Sequence, residues 1–274
     1  MTEERSHLLE PKELELVLDQ ENLVIIDLGN PLLYRQRHVP GAIHLTSSCL
    51  MSSVPPAVGK HPSILEVTTI IQQLGIDSTK HIVVYDDEGG GWAGRLAWLL
   101  DLIGLDRWSY LNGGIVAWIN EGHVTESLVR TAEPSNFRPG NTFANPSAAI
   151  TVDQIIANIG TETFAIWDAR SPAEFSGALR SSLRGGHIPG AINLEWTQLM
   201  DQDNNLRIRT NAQELLNSFG LGKDKKIATH CQTHHRSSFT YMVARILGYK
   251  NISGYDGSWS EWGNLEYTPV ELGP

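Results

Sequence analysis

Cysteine is scarce: Cys49 and Cys231 are the only two in 274 residues. Two thiols so far apart build neither a disulfide framework nor a Cys-rich zinc site, so at most one of them needs a chemical explanation. Basic charge is scarce as well. Lys and Arg number 21 against 31 Asp and Glu, a formal charge of −10 at pH 7, and the densest basic stretch, Lys223-Asp-Lys225-Lys226, reads as a solvated turn. A duplex-binding surface needs clustered cations to neutralise phosphates, so nucleic acid is not an expected partner. No apolar run approaches the ~20 residues that cross a bilayer, and Met1 to Glu10 has three Glu and no apolar core of the kind a secretory leader needs. The expected setting is the cytoplasm, with no membrane partner.

What the chain does have is a repeat. Arg37-His-Val-Pro-Gly-Ala42 answers Gly186-His-Ile-Pro-Gly-Ala191, and Ile82-Val-Val-Tyr85 answers Ile227-Ala-Thr-His230. Gly75, Gly104 and Trp118 answer Gly220, Gly248 and Trp262 at nearly the same offset. A near-constant offset over much of the chain means two copies of one fold, each of roughly 120 residues, the size of a single domain. The expected division is a first domain over 6–125, a linker over 126–146 containing Pro134, Pro139, Gly140 and Pro146, and a second domain over 147–274.

Short apolar runs alternate with helical patterns in both copies. Strands are expected at Leu23 to Asp27, Ala42 to Leu45, Ile82 to Tyr85 and Trp108 to Leu111, then at Phe164 to Asp168, Ala191 to Leu194, Ile227 to His230 and Ile252 to Tyr255. Capping boxes at Ser63-Ile-Leu-Glu66, Thr151-Val-Asp-Gln154 and Thr210-Asn-Ala-Gln213 mark helix starts, with apolar positions at helical spacing behind them. Strands alternating with helices predict α/β layers around a largely parallel sheet.

The copies disagree at one place. In the second, the strand Ile227 to His230 runs into Cys231-Gln-Thr-His-His-Arg236-Ser237, followed by a helix with the stripe Phe239, Met242, Val243, Ile246 and Leu247. Cys231 is therefore expected at the carboxyl end of a strand, where open α/β sheets lodge ligands, and at a helix N-terminus whose N–H groups favour an anion. A thiol there ionises more readily than a free one, and Arg236 adds a fixed positive charge. Cys231 is the candidate nucleophile. The backbone N–H groups of Gln232, Thr233, His234, His235 and Arg236 form the candidate cradle for its anion. Arg236 either faces that anion or turns inward with Asp168 as partner, and Trp196 either borders the pocket or packs in the core. Asp256-Gly257 is expected as a turn with φ > 0 closing the loop's far side. Adjacent His234 and His235 point to different sides and have no Cys/His cluster beside them, so neither metal nor cofactor is expected. Cys49, with no helix stripe directly behind it and no adjacent cation, reads as structural. The first copy has Asp86 where the second has Cys231, in the acidic loop Asp86-Asp-Glu-Gly-Gly-Gly91-Trp-Ala-Gly-Arg95. A carboxylate cannot carry sulfur, so this copy is expected to be inactive.

Asp168-Ala-Arg170, Gly186-His-Ile-Pro-Gly-Ala191, the Cys231 to Arg236 loop, and Asp256-Gly257-Ser-Trp259 with Glu261-Trp262 together resemble the rhodanese family of sulfurtransferases in its tandem form. The loop itself resembles that of a bacterial subgroup with the same Cys-Gln-Thr-His-His-Arg string. The resemblance implies two rhodanese-like domains, each a central, mainly parallel five-stranded sheet flanked by helices, with the second domain catalytic. It also implies a ping-pong reaction, in which the thiolate takes the outer sulfur of a small anionic donor such as thiosulfate, becomes a persulfide and passes the sulfur to cyanide or a thiol. Mercaptopyruvate as donor, or a carrier feeding a protein acceptor, are the alternatives. Family members that bind such donors often have an Arg where Glu174 stands here. Cysteine phosphatases of related architecture place five residues between Cys and Arg; Cys231 and Arg236 enclose four, a tighter cradle suited to one sulfur.

Overall fold

The computed structural model describes residues 6–273. It forms two compact units. Unit 1 runs to Leu50 and takes in Pro62–Asn145 and Met200–Ile208; unit 2 takes in Met51–His61, Pro146–Leu199 and the chain from Arg209 onward. These units differ from the contiguous blocks 6–125 and 147–274 in two segments, because 51–61 and 200–208 each make their polar contacts in the unit of the opposite repeat. Ile208 donates its N–H to Asn112 Oδ1 at 2.9 Å, and Arg207 pairs with Glu10 and Glu121 at 2.9 and 2.5 Å. Lys60 pairs with Glu261 at 2.6 Å, and His61 N–H donates to Asp256 at 2.8 Å. The segment 126–145, expected as a linker, runs along unit 1: Ser135 N–H donates to the Gln72 carbonyl, Gln72 Nε2 to that of Phe137 and Asn145 N–H to that of Leu102.

In unit 1 the strands are β1 (Leu8–Leu9), β2 (Leu23–Asp27), β3 (Ile43–His44), β4 (His81–Tyr85) and β5 (Trp108–Leu111), all parallel in the order β1-β5-β4-β2-β3. Helices α1 (Pro11–Glu15), α2 (Pro31–Gln36), α3 (Ile64–Gln73), α4 (Gly91–Ile103) and α5 (Gly114–Asn120) surround them. In unit 2, β6 (Phe164–Asp168) and β7 (Ile192–Asn193) join two later strands; between them in sequence, β8 (Met200–Asp201) and β9 (Arg207–Ile208) form the antiparallel hairpin that belongs to unit 1. With β10 (Lys226–His230) and β11 (Ile252–Gly254), unit 2 has a parallel sheet in the order β11-β10-β6-β7. The fifth strand expected here shrinks to one parallel bridge, Ala149 to Gly254, because the chain leaves the sheet edge to start a helix at Thr151. Unit 2 helices are α6 (Val152–Ile156), α7 (Pro172–Phe175), α8 (Ala212–Ser218), α9 (Arg236–Ile246) and α10 (Ser258–Trp262).

The repeated His-x-Pro-Gly-Ala motif is structural in both units. His38 stacks on Tyr34 at 3.9 Å with its Nδ1 on the Tyr34 carbonyl, and His187 stacks on Phe175 at 3.7 Å with its Nδ1 on the Phe175 carbonyl. Each also forms an isolated antiparallel bridge, to Glu126 and to Glu271. Gly41 and Gly190 turn the motif at φ 81° and 73°, backbone that other residues adopt only under strain. The boxes at Ser63 and Thr151 form as expected. The one at Thr210 does not: α8 starts after Asn211, whose φ −94°, ψ 17° is not the extended geometry a side-chain cap requires. An unforeseen box, Ser171 with Glu174, starts α7.

After β4, the loop of unit 1 closes on its own carboxylate. Asp86 is fully buried; its Oδ1 accepts the N–H groups of Glu88 and Gly90 at 3.1 and 2.8 Å, and its Oδ2 that of Ala93 at 3.0 Å. Burial, then the charge of Glu88, push this carboxyl up to about 6, the three donors opposing them. A native value above the unfolded one means that ionisation disfavours folding. Unit 1 therefore loses stability as pH rises from about 4 to 6, by an amount on the order of 2–3 kcal/mol. Asp86→Asn, which cannot ionise, should flatten that part of a plot of urea midpoint against pH; an unchanged slope would place the titration elsewhere.

Candidate active site

Cys231 leaves β10 directly after His230, which lies in register beside Asp168 of β6. Its residue is 1% exposed. The loop that follows turns at His234, a non-glycine residue at φ 58°, and α9 begins at Arg236. A left-handed residue followed by a right-handed one, as His235 is, turns successive N–H groups toward one side, a geometry suited to an anion cradle. The backbone N–H groups of Thr233 and Ser237 and the Ser237 hydroxyl all favour the ionised sulfur. Burial is the largest single influence and pushes the thiol up; the charge of Arg236 and these three donors together outweigh it, so Cys231 sits below the ordinary thiol value.

The loop is held from outside by α10. Ser258, at φ 51°, accepts the Cys231 N–H on its hydroxyl at 3.3 Å and donates to the Tyr255 carbonyl at 2.8 Å. Trp259 and Ser260 donate their N–H groups to the carbonyls of Cys231 and Gln232, both at 2.9 Å. The turn at Asp256-Gly257 closes the loop as expected, but the positive φ belongs to Ser258. Gly257 is at φ −62°, and the reason for glycine is space, since a Cβ there would meet the Glu261 carboxylate at 1.9 Å.

The side chains expected around the sulfur do different things. Gln232 is turned to the segment 181–182, its Nε2 donating to the Ser181 carbonyl and the Ser182 hydroxyl at 3.2 Å. His234 is buried with Nδ1 2.7 Å from Ser237 Oγ, and Ser238 Oγ donates to the His234 carbonyl. The His235 ring lies against half-buried Trp196, centroids 5.9 Å apart, and Trp196 meets Phe239 edge-on at 5.8 Å, so Trp196 flanks the loop from outside the fully buried core. Arg236 does not reach Asp168. Its guanidinium forks onto Glu174, Nη1 to Oε2 at 2.7 Å and Nη2 to Oε1 at 2.9 Å. Asp168 is taken by Arg170, with Nη2 to Oδ2 at 2.6 Å and Nε to Oδ1 at 3.0 Å. That guanidinium also donates to the Gly186 carbonyl and lies 4.3 Å over the Trp259 ring. Arg170 is two residues from Asp168 and wins by proximity. Glu174 is pre-set for Arg236 by the α7 cap, where Ser171 Oγ donates to Oε2 at 2.9 Å. Burial pushes the Glu174 carboxyl up, and the Arg236 and Ser171 bonds overcome this and hold it down at about 2. Cys49, expected to be structural, is exposed on the 3-10 turn Ser47–Leu50, where little packing surrounds it.

Two participants escaped the reading of the sequence. Ser237 stands in the quoted loop string and follows the cation, which is signal enough to have raised it. Gly59 gives no such signal. A Cβ on Gly59 would sit 2.2 Å from the Thr233 carbonyl oxygen, so the segment 51–61 packs directly on the backbone of the Cys231 loop.

The fold and this site define a class: an α/β protein of two like copies, one keeping a cysteine in a backbone cradle and the other filling the same cradle with a carboxylate. The model of the rhodanese-like domain matches residues 10–121 and 151–265, and the chain belongs to the rhodanese family. A thiosulfate sulfurtransferase of Azotobacter vinelandii is 43% identical over 264 residues, 96% of each chain. The sulfur carrier protein TtuD of Thermus thermophilus is 30% identical over 281 residues, 98% of this chain and 94% of that one. The crystal structure of YnjE superposes at a TM-score of 0.88 and 22% identity, covering 98% of this chain and 68% of that chain, which speaks for the fold.

Gly59→Ala should lower the unfolding free energy of unit 2 by about 1–3 kcal/mol through overpacking and shift the backbone resonances of Thr233. Unchanged Thr233 resonances would show that 51–61 does not bear on the loop.

Proposed function

We propose that this chain is a thiosulfate sulfurtransferase of the bacterial subgroup with the Cys-Gln-Thr-His-His-Arg loop, working through a persulfide on Cys231. The observation that carries the reading is a buried cysteine whose thiolate is favoured by converging N–H groups, a hydroxyl and a neighbouring guanidinium. The thiolate attacks the outer sulfur of thiosulfate; the donor's S–S bond breaks and sulfite leaves with the bonding pair. The persulfide's terminal sulfur then carries the negative charge, held by the N–H groups of the 232–236 stretch and Ser237. Attack on that sulfur by cyanide or a thiolate breaks the bond to Cys231 and restores the resting thiolate, so the reading needs no resident metal or cofactor. Asp168 acts in support, fixing Arg170 beneath the loop, and Trp196 walls one side of the loop through His235. Unit 1, with the Asp86 carboxylate in the equivalent cradle, has no thiol there to carry sulfur.

Thiosulfate is favoured over 3-mercaptopyruvate because the small donor needs little beyond the amide cradle. The Glu174 fork on Arg236 works against any anionic donor, since it leaves the positive charge near the sulfur largely balanced. Delivery to a protein acceptor remains the second reading, favoured by the likeness to a named sulfur carrier. No helix among the described residues is long and apolar enough to cross a membrane, and the proposed setting is the cytoplasm.

Incubation with thiosulfate should add one sulfur to the intact mass, cyanide should remove it, and Cys231→Ser but not Cys49→Ser should abolish the gain. An unmodified wild-type mass would falsify the reading for this donor. Glu174→Gln unbalances Arg236 and should lower the KM for thiosulfate several-fold while leaving neutral thiol acceptors unaffected; a raised KM would show that the fork serves chiefly to hold Arg236 in place.

A further inference from the structure

We propose that Lys60, a residue of the first repeat, is a positioning residue for Cys231: its ammonium holds the Glu261 carboxylate and, through it, the turn 255–258 that fixes the Cys231 peptide. The inference rests on the reading of Cys231 as the nucleophile and adds a remote residue on which its geometry depends. Lys60 Nζ stands 2.6 Å from Glu261 Oε1, and Tyr255 donates its hydroxyl to Glu261 Oε2 at 2.8 Å. The Glu261 side chain is 12% exposed, and a carboxylate so far out of water keeps its charge and place only where a cation and hydrogen-bond donors compensate for the lost solvation.

Glu261 cannot move without moving the turn. Its carboxylate lies against Gly257, and its N–H donates to the Gly257 carbonyl at 2.9 Å. The next residue, Ser258, is at φ 51°, a conformation that serine keeps only where its surroundings over-determine it. Every hydrogen bond from there to the nucleophile has one possible direction. Ser258 Oγ spends its hydrogen on the Tyr255 carbonyl at 2.8 Å, which leaves its lone pairs for the Cys231 N–H at 3.3 Å. Trp259 and Ser260 donate their N–H groups to the carbonyls of Cys231 and Gln232, both at 2.9 Å. The turn thus holds the consecutive peptide groups from 230 to 233, and the orientation of the sulfur in its cradle follows from them.

Lys60 is itself fixed. The segment 51–61 closes on itself, with Ser52 N–H on the Lys60 carbonyl at 2.8 Å, Ser53 N–H on that of Val58 at 3.2 Å and Lys60 N–H on that of Ala57 at 3.0 Å. The residues on either side of Lys60 dock as well, Gly59 against the Thr233 carbonyl and His61 by its N–H on Asp256 Oδ2 at 2.8 Å. The exchanged segment of unit 1 ends in the same device. There Arg207 pairs with Glu121 at the C-cap of α5, the helix that follows the last strand of its sheet as α10 follows β11.

The test is single-turnover loading of the full chain by thiosulfate, read by intact mass, normalised to the folded fraction and resolved into a maximal rate and a half-saturating concentration. Lys60→Met should lower the maximal rate on the order of tenfold, the scale of a small misplacement of reacting groups, and leave the half-saturating concentration in place because Lys60 does not touch the donor. Lys60→Arg keeps the pair and should restore the rate. Adding Glu261→Gln to Lys60→Met removes the charge that lacks a partner and should recover most of the loss. Glu261→Gln by itself should load no faster than the parent, whereas a direct effect of charge on the sulfur would speed it. A maximal rate in Lys60→Met equal to the parent's, with only the urea midpoint lowered, makes Lys60 merely structural and overturns the proposal, as does a double variant no faster than Lys60→Met. Failure of thiosulfate to load the parent would instead strike at the sulfurtransferase reading. The same ranking is then read from alkylation of Cys231 by iodoacetamide in the Cys49→Ser background, where equal rates in the parent and Lys60→Met overturn the proposal.

Discussion

A buried anion survives only where the donors around it outweigh the lost solvation, and that contest governs both units. In unit 2 the group is the Cys231 thiol; Arg236, Ser237 and Thr233 win against burial, and it lies below the ordinary thiol value. In unit 1 the equivalent place holds the Asp86 carboxylate, which also accepts three backbone N–H groups, yet burial and Glu88 win and the group lies high. The backbone cradle is common to both. A guanidinium near one anion and a carboxylate near the other separate the outcomes, so the copies share a fold and differ in electrostatics. Asp86 also takes up three N–H groups of its loop, which leaves them closed to any other anion.

Glu174 shows how a substitution within a family changes meaning with geometry. As a sequence position it places an acid where the family resemblance implies a donor-binding Arg. In the structure that acid caps α7, receives the Arg236 guanidinium in a fork and is held ionised by it. One carboxylate therefore supports a helix start, orients the loop's only arginine and moderates the field that an incoming anion meets.

The exchanged segments repeat the internal symmetry at the level of packing. Residues 51–61 place Gly59 against Thr233 in the loop of unit 2, and residues 200–208 bring Met200 against Gly89 in the corresponding loop of unit 1. In each case a side-chain-free position allows backbone or a flexible methionine to approach a tight turn. The Cys231 loop is thus shaped by α10 on one side, through Ser258, Trp259 and Ser260, and by a segment of the other repeat at Thr233.

Periodicity, punctuation and repetition are local properties, and they carried the sequence a long way: eight strands, the boxes at Ser63 and Thr151, two like copies, Cys231 at a strand end before a helix, and the departure at Asp86. Pairing is not local. Whether Arg236 would meet Asp168 or Glu174 depended on Arg170 reaching the aspartate first and on Ser171 presenting the glutamate, and no spacing rule ranks such competitors. The same holds for Gly59, more than a repeat's length from Thr233 in the chain, and for the fifth strand of unit 2, which one capped helix start reduced to a single bridge. Chain order determined which chemical groups exist and what local backbone carries them; only the folded arrangement decided which neighbours each charge would have, because electrostatic partners are chosen by distance in space and by burial.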